Sequence, residues 1–522
     1  MGGIALSYIP TRLRTNMPSE NFLDTAKNQI ITDSSKFITS TYVGNITGII
    51  TGILIRKFLG PTLMGIWGYL QVIQYYSNYS ELGILTAAER EIPFHYGKND
   101  QQQASKIKNN AFAFTTITSL IVFLLLTGYA LFVRHSVTKP FFYGLLTIAI
   151  LSAGGQYGLL YTVLLRADKN ISVLSKAKVL FGLTWLTLII FLVIPFSIYG
   201  LYLAVIILLL ISILYFYKNI SYKFTFQINY VELKRLIIIG MPIILMYVGI
   251  LSIKNVDRIF IVNMLSLQHL GYYSIAIMAS NYIFTIPSTF SIIMFPRFQE
   301  SYAIKNDIVD IQNFVDTPTR ILAYFIAIFI GFAFLVLPPL VIIVLPKYIQ
   351  GITALKILLL GTFFISLTHM SNQFLITLNK QRNLVPLVFL VVVVGCFLDY
   401  SFIKWGYGIN GVAFATGIAY FLYYFVSLGY AMLHYASKKT FFKFVVGNLF
   451  PICCVSAFLF VIDIIFPLRE NSTLFLIRLT LIKLFVFLIL CLPLLWHVNR
   501  STQILNRIFR LLGEKFLRHS EP

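Results

Sequence analysis

Phe58-Leu59-Gly60-Pro61-Thr62-Leu63-Met64-Gly65 joins two apolar stretches near the start of the chain. Met264-Leu265-Ser266-Leu267-Gln268-His269-Leu270-Gly271 joins two more, and Gly65 and Gly271 stand 206 positions apart. Tyr199-Gly200 opens a sixth apolar stretch as Tyr407-Gly408, 208 positions later, opens a twelfth. Arg166-Ala167-Asp168-Lys169-Asn170 follows the fourth as Asn379-Lys380-Gln381-Arg382-Asn383 follows the tenth. The chain therefore reads as two similar halves of six stretches each. An even number gives both halves the same orientation, which predicts a pseudo-two-fold axis along a membrane normal and a central site between two lobes.

The stretches are membrane-spanning in length, since a helix needs about 20 mostly apolar residues to cross the hydrocarbon core. Fourteen qualify, at 37–58, 63–85, 111–133, 141–165, 171–195, 199–217, 236–262, 270–295, 320–345, 353–379, 384–404, 408–433, 441–466 and 474–497. Helices are expected rather than a barrel, whose strands run to about 10 residues and alternate in polarity. Of the 522 residues, 58% are apolar and 11% charged, less than half the roughly 25% charged fraction of a soluble domain. That composition excludes a soluble enzyme, a disordered chain and a nucleic-acid-binding module. The fold class is thus an all-α polytopic membrane protein: two parallel six-helix lobes around a central cavity, plus two C-terminal helices.

The net charge of +22 is mainly an orientation signal. With the N-terminus inside, the inner segments hold about 29 Lys/Arg and the outer connections about 7. Both termini are then cytoplasmic. The organisation reads as a basic leader (1–36), an N-terminal lobe (37–217), an inner linker (218–235), a C-terminal lobe (236–433), an extra helix pair (441–497) and a basic tail (498–522). The leader has no cleavable signal pattern, and the tail reads as an amphipathic helix on the anionic inner leaflet. Cys396, Cys453, Cys454 and Cys491 lie in apolar stretches without metal or redox spacing. No ATP-binding loop, metal-binding helix or nucleophile elbow is found, and no cofactor is expected.

Several ordered elements resemble the Wzx-type polysaccharide flippases of the multidrug/oligosaccharidyl-lipid/polysaccharide exporter superfamily. Over residues 30–435 they are Arg56, Leu59-Gly60-Pro61, Gly65, Leu82-Gly83, Ala88-Glu89-Arg90-Glu91-Ile92, Met241-Pro242, Asp257-Arg258, Gly271-Tyr272-Tyr273, Pro287, Phe295-Pro296-Arg297 and Gly408–Thr416. The resemblance implies a V-shaped, non-enzymatic inner-membrane transporter. Its cargo would be an undecaprenyl-pyrophosphate-linked oligosaccharide, such as an O-antigen, capsule or exopolysaccharide repeat unit. Partners would be that lipid-linked glycan, membrane lipids, H⁺ or Na⁺, and other polysaccharide-assembly proteins, with no nucleic acid. Lipid II flippases of the superfamily carry an extra helix pair that guides the lipid tail. The rival readings are a multidrug/cation antiporter of the same fold and a membrane glycan polymerase or ligase.

Such a carrier needs a hydrated cationic cavity, and ionisable residues inside spans are functional candidates. In span seven Lys254 and Arg258 are i,i+4 neighbours, with Asn255 and Asp257 between them. They read either as a pyrophosphate site or as a salt bridge locking span seven to a neighbour. In span two Gln71, Gln74, Asn78 and Glu81 fall within about 80° on one face, lining a cavity or bonding between helices. Asn45 beside Gly44, Gly48 and Gly52 in span one, and Asn281 in span eight, extend the polar lining. Ion coupling is assigned to Glu81 or Asp257. His369 reads as an interhelical hydrogen-bonder or a proton relay, Lys356 and Arg478 as snorkelling cations, and Lys483 as a buried cation open to lipid phosphate.

Overall fold

Lipid offers no partner to a backbone amide, so each apolar run closes its hydrogen bonds internally as a helix. A computed structural model describes residues 20–168, 170–305, 308–378, 380–467 and 472–502, with side chains described from residue 39 on, except 290–311, 313–314 and 501–502. Leader residues 1–19 and tail residues 503–522 lie outside the described residues. The helices are α1 (Glu20–Ser77), α2 (Ile84–Gly97), α3 (Gln101–Val133), α4 (Lys139–Ala167), α5 (Ile171–Leu188), α6 (Ile194–Asn219) and α7 (Tyr230–Met264). They continue as α8 (Leu267–Lys305), α9 (Ile308–Val344), α10 (Ile352–Thr377), α11 (Gln381–Lys404), α12 (Gly408–Met432), α13 (Lys438–Ile465) and α14 (Thr473–Thr502). Among the described residues there is no strand.

Eleven segments are long and apolar enough to cross a membrane, and two of them exceed a single crossing. Thr39–Glu81 has 43 residues, about 65 Å of helix against a core of about 30 Å. It breaks at Gly60 (φ 71°, ψ 174°), where the left-handed φ favours glycine and Pro61 contributes no amide. Ile171–Asn219 breaks at Ser197 (φ 52°), beside Pro195. Splitting both and adding α8 recovers the fourteen stretches of the sequence. From α3 onward, helix number equals span number.

Within the first half α1 packs on α5, α3 on α4, and α4 on α6. Within the second, α10 and α11 pack on α12, α7 on α11, and α9 on α10. The halves meet along α1–α8 and α2–α7. At the end carrying Gly60 the contact is reciprocal: a Cβ at Gly65 would overlap the Leu267 carbonyl, and one at Gly271 the Pro61 carbonyl. The 206-residue repeat maps one contact onto the other, Gly65 onto Gly271 and Pro61 onto Leu267. At the opposite end Gly83 (φ 86°) and Gly240 press backbone on backbone. Beside them Arg235 Nη2 reaches Glu91 Oε2 at 2.6 Å, and Gln103 Nε2 donates to Glu232 Oε2 at 2.9 Å. The linker after α6 is strapped to α3: Tyr222 and the Thr225 amide donate to Asn109 Oδ1, and the Asn229 amide donates to Asn110 Oδ1.

The extra pair α13–α14 seats on α9, where Gly331 leaves room for Phe487. An ion triad adds to this, with Asp463 of α13 2.8 Å from Lys356 of α10 and 2.7 Å from Lys483 of α14. Lys356 therefore does not simply snorkel, and Lys483, 2% exposed, is neutralised by protein rather than by lipid.

Candidate functional site: a cation cluster between the halves

The interior residues of α7 are those a single helix turn brings together, one helical face directing them toward α1, α8 and α12. Asp257 and Arg258 are 3% and 4% exposed. Asp257 Oδ2 accepts the Tyr273 hydroxyl of α8 at 2.9 Å and the Thr416 hydroxyl of α12 at 3.4 Å. Its Oδ1 accepts the Arg258 amide at 2.8 Å. The carboxylate is thus engaged by neutral donors, and the salt-bridge reading of span seven is not realised. Among the described residues no carboxylate lies within ion-pair distance of Lys254 or Arg258.

Aromatic faces meet the two cations instead. Lys254 Nζ lies 3.7 Å from the ring centroid of Phe284 on α8, and the Arg258 guanidinium 5.8 Å from that of Tyr75 on the second limb of α1. Ring quadrupoles attract cations by about 0.5–2 kcal/mol, well short of neutralising a buried charge. Arg258 Nε is buried without a hydrogen-bond partner. A third cation, Arg56 of α1, stands close enough to interact electrostatically with Arg258. It donates through Nε to Ser274 Oγ (3.1 Å), through Nη2 to the Ser274 carbonyl (2.9 Å) and through Nη1 to the Gly52 carbonyl (2.9 Å). Tyr348 donates to its carbonyl at 3.1 Å. Three cations thus converge where the halves meet around one carboxylate, Asp257, which interacts electrostatically with Arg258 while its oxygens accept neutral donors.

The other candidates divide. Among the described residues Gln71 and Gln74, half-buried on the Tyr75 limb, have no hydrogen-bond partner, and Asn78 Oδ1 is buried without one. Tyr76 ties the same limb to α7 through Ser252 at 3.0 Å. Asn281 is exposed on α8. Asn255 donates to the Leu251 carbonyl of its own helix at 2.7 Å. Asn45 lies apart, lining a cavity of about 350 Å³ with Thr41, Lys178 and Trp185 between α1 and α5. Glu81 accepts the Leu85 amide at 2.8 Å and is also approached by those of Gly83 and Ile84, so it caps α2.

Two residues escaped the sequence reading. Arg56 was noted only as part of a motif, although an arginine inside a span was itself a signal. Asp399 of α11, a carboxylate inside the stretch 384–404, is absent from the sequence candidates. It is 4% exposed, its Oδ1 has no partner, and it interacts electrostatically with Asp257. Among the described residues no three His, Cys, Asp or Glu side chains converge as metal ligands.

The sequence model of one family, described as polysaccharide biosynthesis protein, matches residues 31–302. The chain belongs to this family. No curated protein matches it by sequence. Solved structures share the fold of this polysaccharide biosynthesis family member. The lipid II flippase MurJ in an inward closed conformation superposes with a TM-score of 0.64 at 16% identity, covering 87% of this chain and 97% of its own. An inward-facing multidrug resistance MATE family transporter of the MOP superfamily gives 0.62 at 14% identity, covering 75% and 94%. A mutant of the Vibrio cholerae MATE transporter VcmN gives 0.58 at 13% identity, covering 79% and 99%. The chain is a multi-pass membrane protein of the transporter/flippase fold.

Proposed function

We propose that this protein flips an undecaprenyl-pyrophosphate-linked oligosaccharide, an O-antigen, capsule or exopolysaccharide repeat unit, across the cytoplasmic membrane by alternating access. The observation that carries the reading is the pair Lys254 and Arg258, the first half-buried and the second buried where the two halves meet, with no carboxylate within ion-pair distance of either among the described residues. An isolated buried cation is costly, and an anionic headgroup is the ligand that removes the cost. Arginine grips phosphate oxygens bidentately, while the half-buried amides of Gln71, Gln74 and Asn78 offer partners to sugar hydroxyls. The polyprenyl tail stays in lipid. The two six-helix groups act as lobes, with both termini and the Arg235 end cytoplasmic. Asp257 with Asp399 is the pair we assign to H⁺ or Na⁺ coupling, in preference to Glu81, whose carboxylate caps a helix. A carrier of small cations would want a carboxylate-rich site, whereas the groups gathered here are three cations and Asp257.

The test is export in cells that depend on this protein. Lys254→Gln with Arg258→Gln is expected to lower surface glycan at least tenfold while the protein remains at wild-type level in the membrane fraction. Arg258→Lys restores part of it. Normal surface glycan from the double variant would overturn the cation-site reading.

A further inference from the structure

His369 of α10, which the sequence reads as an interhelical hydrogen-bonder or a proton relay, makes no hydrogen bond among the described residues. Its neighbour Asn372 fills that role, accepting Tyr423 at 2.9 Å and Ser427 at 2.8 Å on α12. The imidazole instead packs against Phe284, ring centroids 4.6 Å apart, with Nε2 buried and without a partner. Phe284 is also the ring that carries Lys254 Nζ. Spans seven, eight and ten thus bring an ammonium, an aromatic ring and an imidazole with an orphaned nitrogen to one place. Buried polar atoms in native proteins are nearly always satisfied, so an exception beside a candidate substrate cation needs an explanation.

We propose that His369 is a substrate-positioning residue whose Nε2 hydrogen-bonds an oxygen of the first sugar of the glycan, distinguishing a glycosylated carrier from a bare polyprenyl pyrophosphate. The inference rests on the proposed function above. A charge-assisted pair with phosphate is stronger than a cation–ring contact, so a pyrophosphate that takes the Lys254 ammonium frees Phe284. Phe284 is the ring lying against the imidazole, and its proposed displacement opens room for a sugar oxygen beside His369. The order of events follows: phosphate engages first, then the ring moves, then the sugar is read. A site built to hydrogen-bond a hydroxyl rejects an analogue lacking it far better than an apolar pocket rejects an added group.

The full chain in lipid nanodiscs is titrated with two probes, undecaprenyl pyrophosphate and undecaprenyl-pyrophosphoryl N-acetylglucosamine. Wild type is expected to prefer the glycosylated probe about tenfold. His369→Leu loses that preference while holding the bare probe within twofold of wild type. His369→Gln, which places an amide nitrogen near the same position, restores it. Equal weakening of both probes by His369→Leu, a preference that survives it, or failure of His369→Gln to restore the preference would overturn the role of His369 while leaving the cation site standing. Binding of both probes unaffected by Lys254→Gln with Arg258→Gln would instead overturn the proposed function on which it rests.

Discussion

Two buried carboxylates, Asp257 and Glu81, separate at the level of single atoms. Glu81 gives its oxygens to the amides that open α2, a helix-capping role that satisfies donors the first turn leaves unpaired. Asp257 receives two hydroxyls from neighbouring helices and lies within electrostatic reach of Asp399. The pair should therefore respond differently to substitution. Glu81→Ala removes the acceptor and lowers stability by about 1 kcal/mol, the usual worth of a cap, and Glu81→Gln keeps export at every pH examined. Asp257→Asn keeps an acceptor for Tyr273, inserts normally and loses the dependence of transport on the ion gradient. Thermal unfolding in detergent and uptake into proteoliposomes with and without an imposed gradient separate the two. Gradient-driven transport intact in Asp257→Asn would remove this carboxylate from coupling.

Helix positions were legible because each apolar run must close its own backbone hydrogen bonds, and α9 to α14 start and end within about a dozen residues of the runs that announced them. The polar stripe read in span two, Gln71, Gln74, Asn78 and Glu81, assumes 3.6-residue periodicity, whereas the structure turns to a 3-10 helix over Asn78–Glu81. Pairings between helices were not legible. Lys356 and Asp463 are 107 residues apart in sequence, and nothing local to either announces the other. The same holds for Asp399 and Asp257. The triad Lys356–Asp463–Lys483 is the element-scale consequence, because it fastens α13 and α14 to α10. Asp463→Asn strands Lys483, which is 2% exposed. Removing one partner of a buried pair costs about 3–5 kcal/mol, and because Asp463 is partly exposed a loss of about 2 kcal/mol is expected here. Adding Lys483→Met recovers most of it, since a linear apolar chain of similar length fills the same space. A melting temperature unchanged by Asp463→Asn would show that packing against α9 alone holds the pair.

At the scale of the whole molecule, the two halves touch at both ends, and the two closures are built differently. At the Gly60 end they meet backbone to backbone through Gly65 and Gly271, with Arg56 bonded to Ser274 across the seam. At the opposite end the Gly83–Gly240 contact is reinforced by Arg235 with Glu91 and Gln103 with Glu232. Alternating access requires each closure to be reversible, and a rocking motion cannot open one by relaxing a side chain where the contact is between main chains. A methyl at Gly65 or Gly271 has no flexible neighbour to displace, so Gly65→Ala and Gly271→Ala should both hold the Gly60 end apart, to similar degrees because the contacts are reciprocal. Arg235→Glu should act on the other end, setting a third negative charge beside Glu91 and Glu232, and Glu91→Arg in the same chain should restore closure. Spin labels at 98 and 234 report the Arg235 end. A cysteine at position 274, in a chain whose four native cysteines are serine, reports the Gly60 end through labelling by an impermeant thiol reagent. The expected pattern is crossed: the alanine variants raise labelling at 274 without lengthening the 98–234 distance, and Arg235→Glu does the reverse. If Gly65→Ala left labelling at 274 unchanged in a normally inserted protein, the glycine seam would not be a gate, and the repeat that places Gly65 opposite Leu267 would be a record of ancestry rather than a moving part.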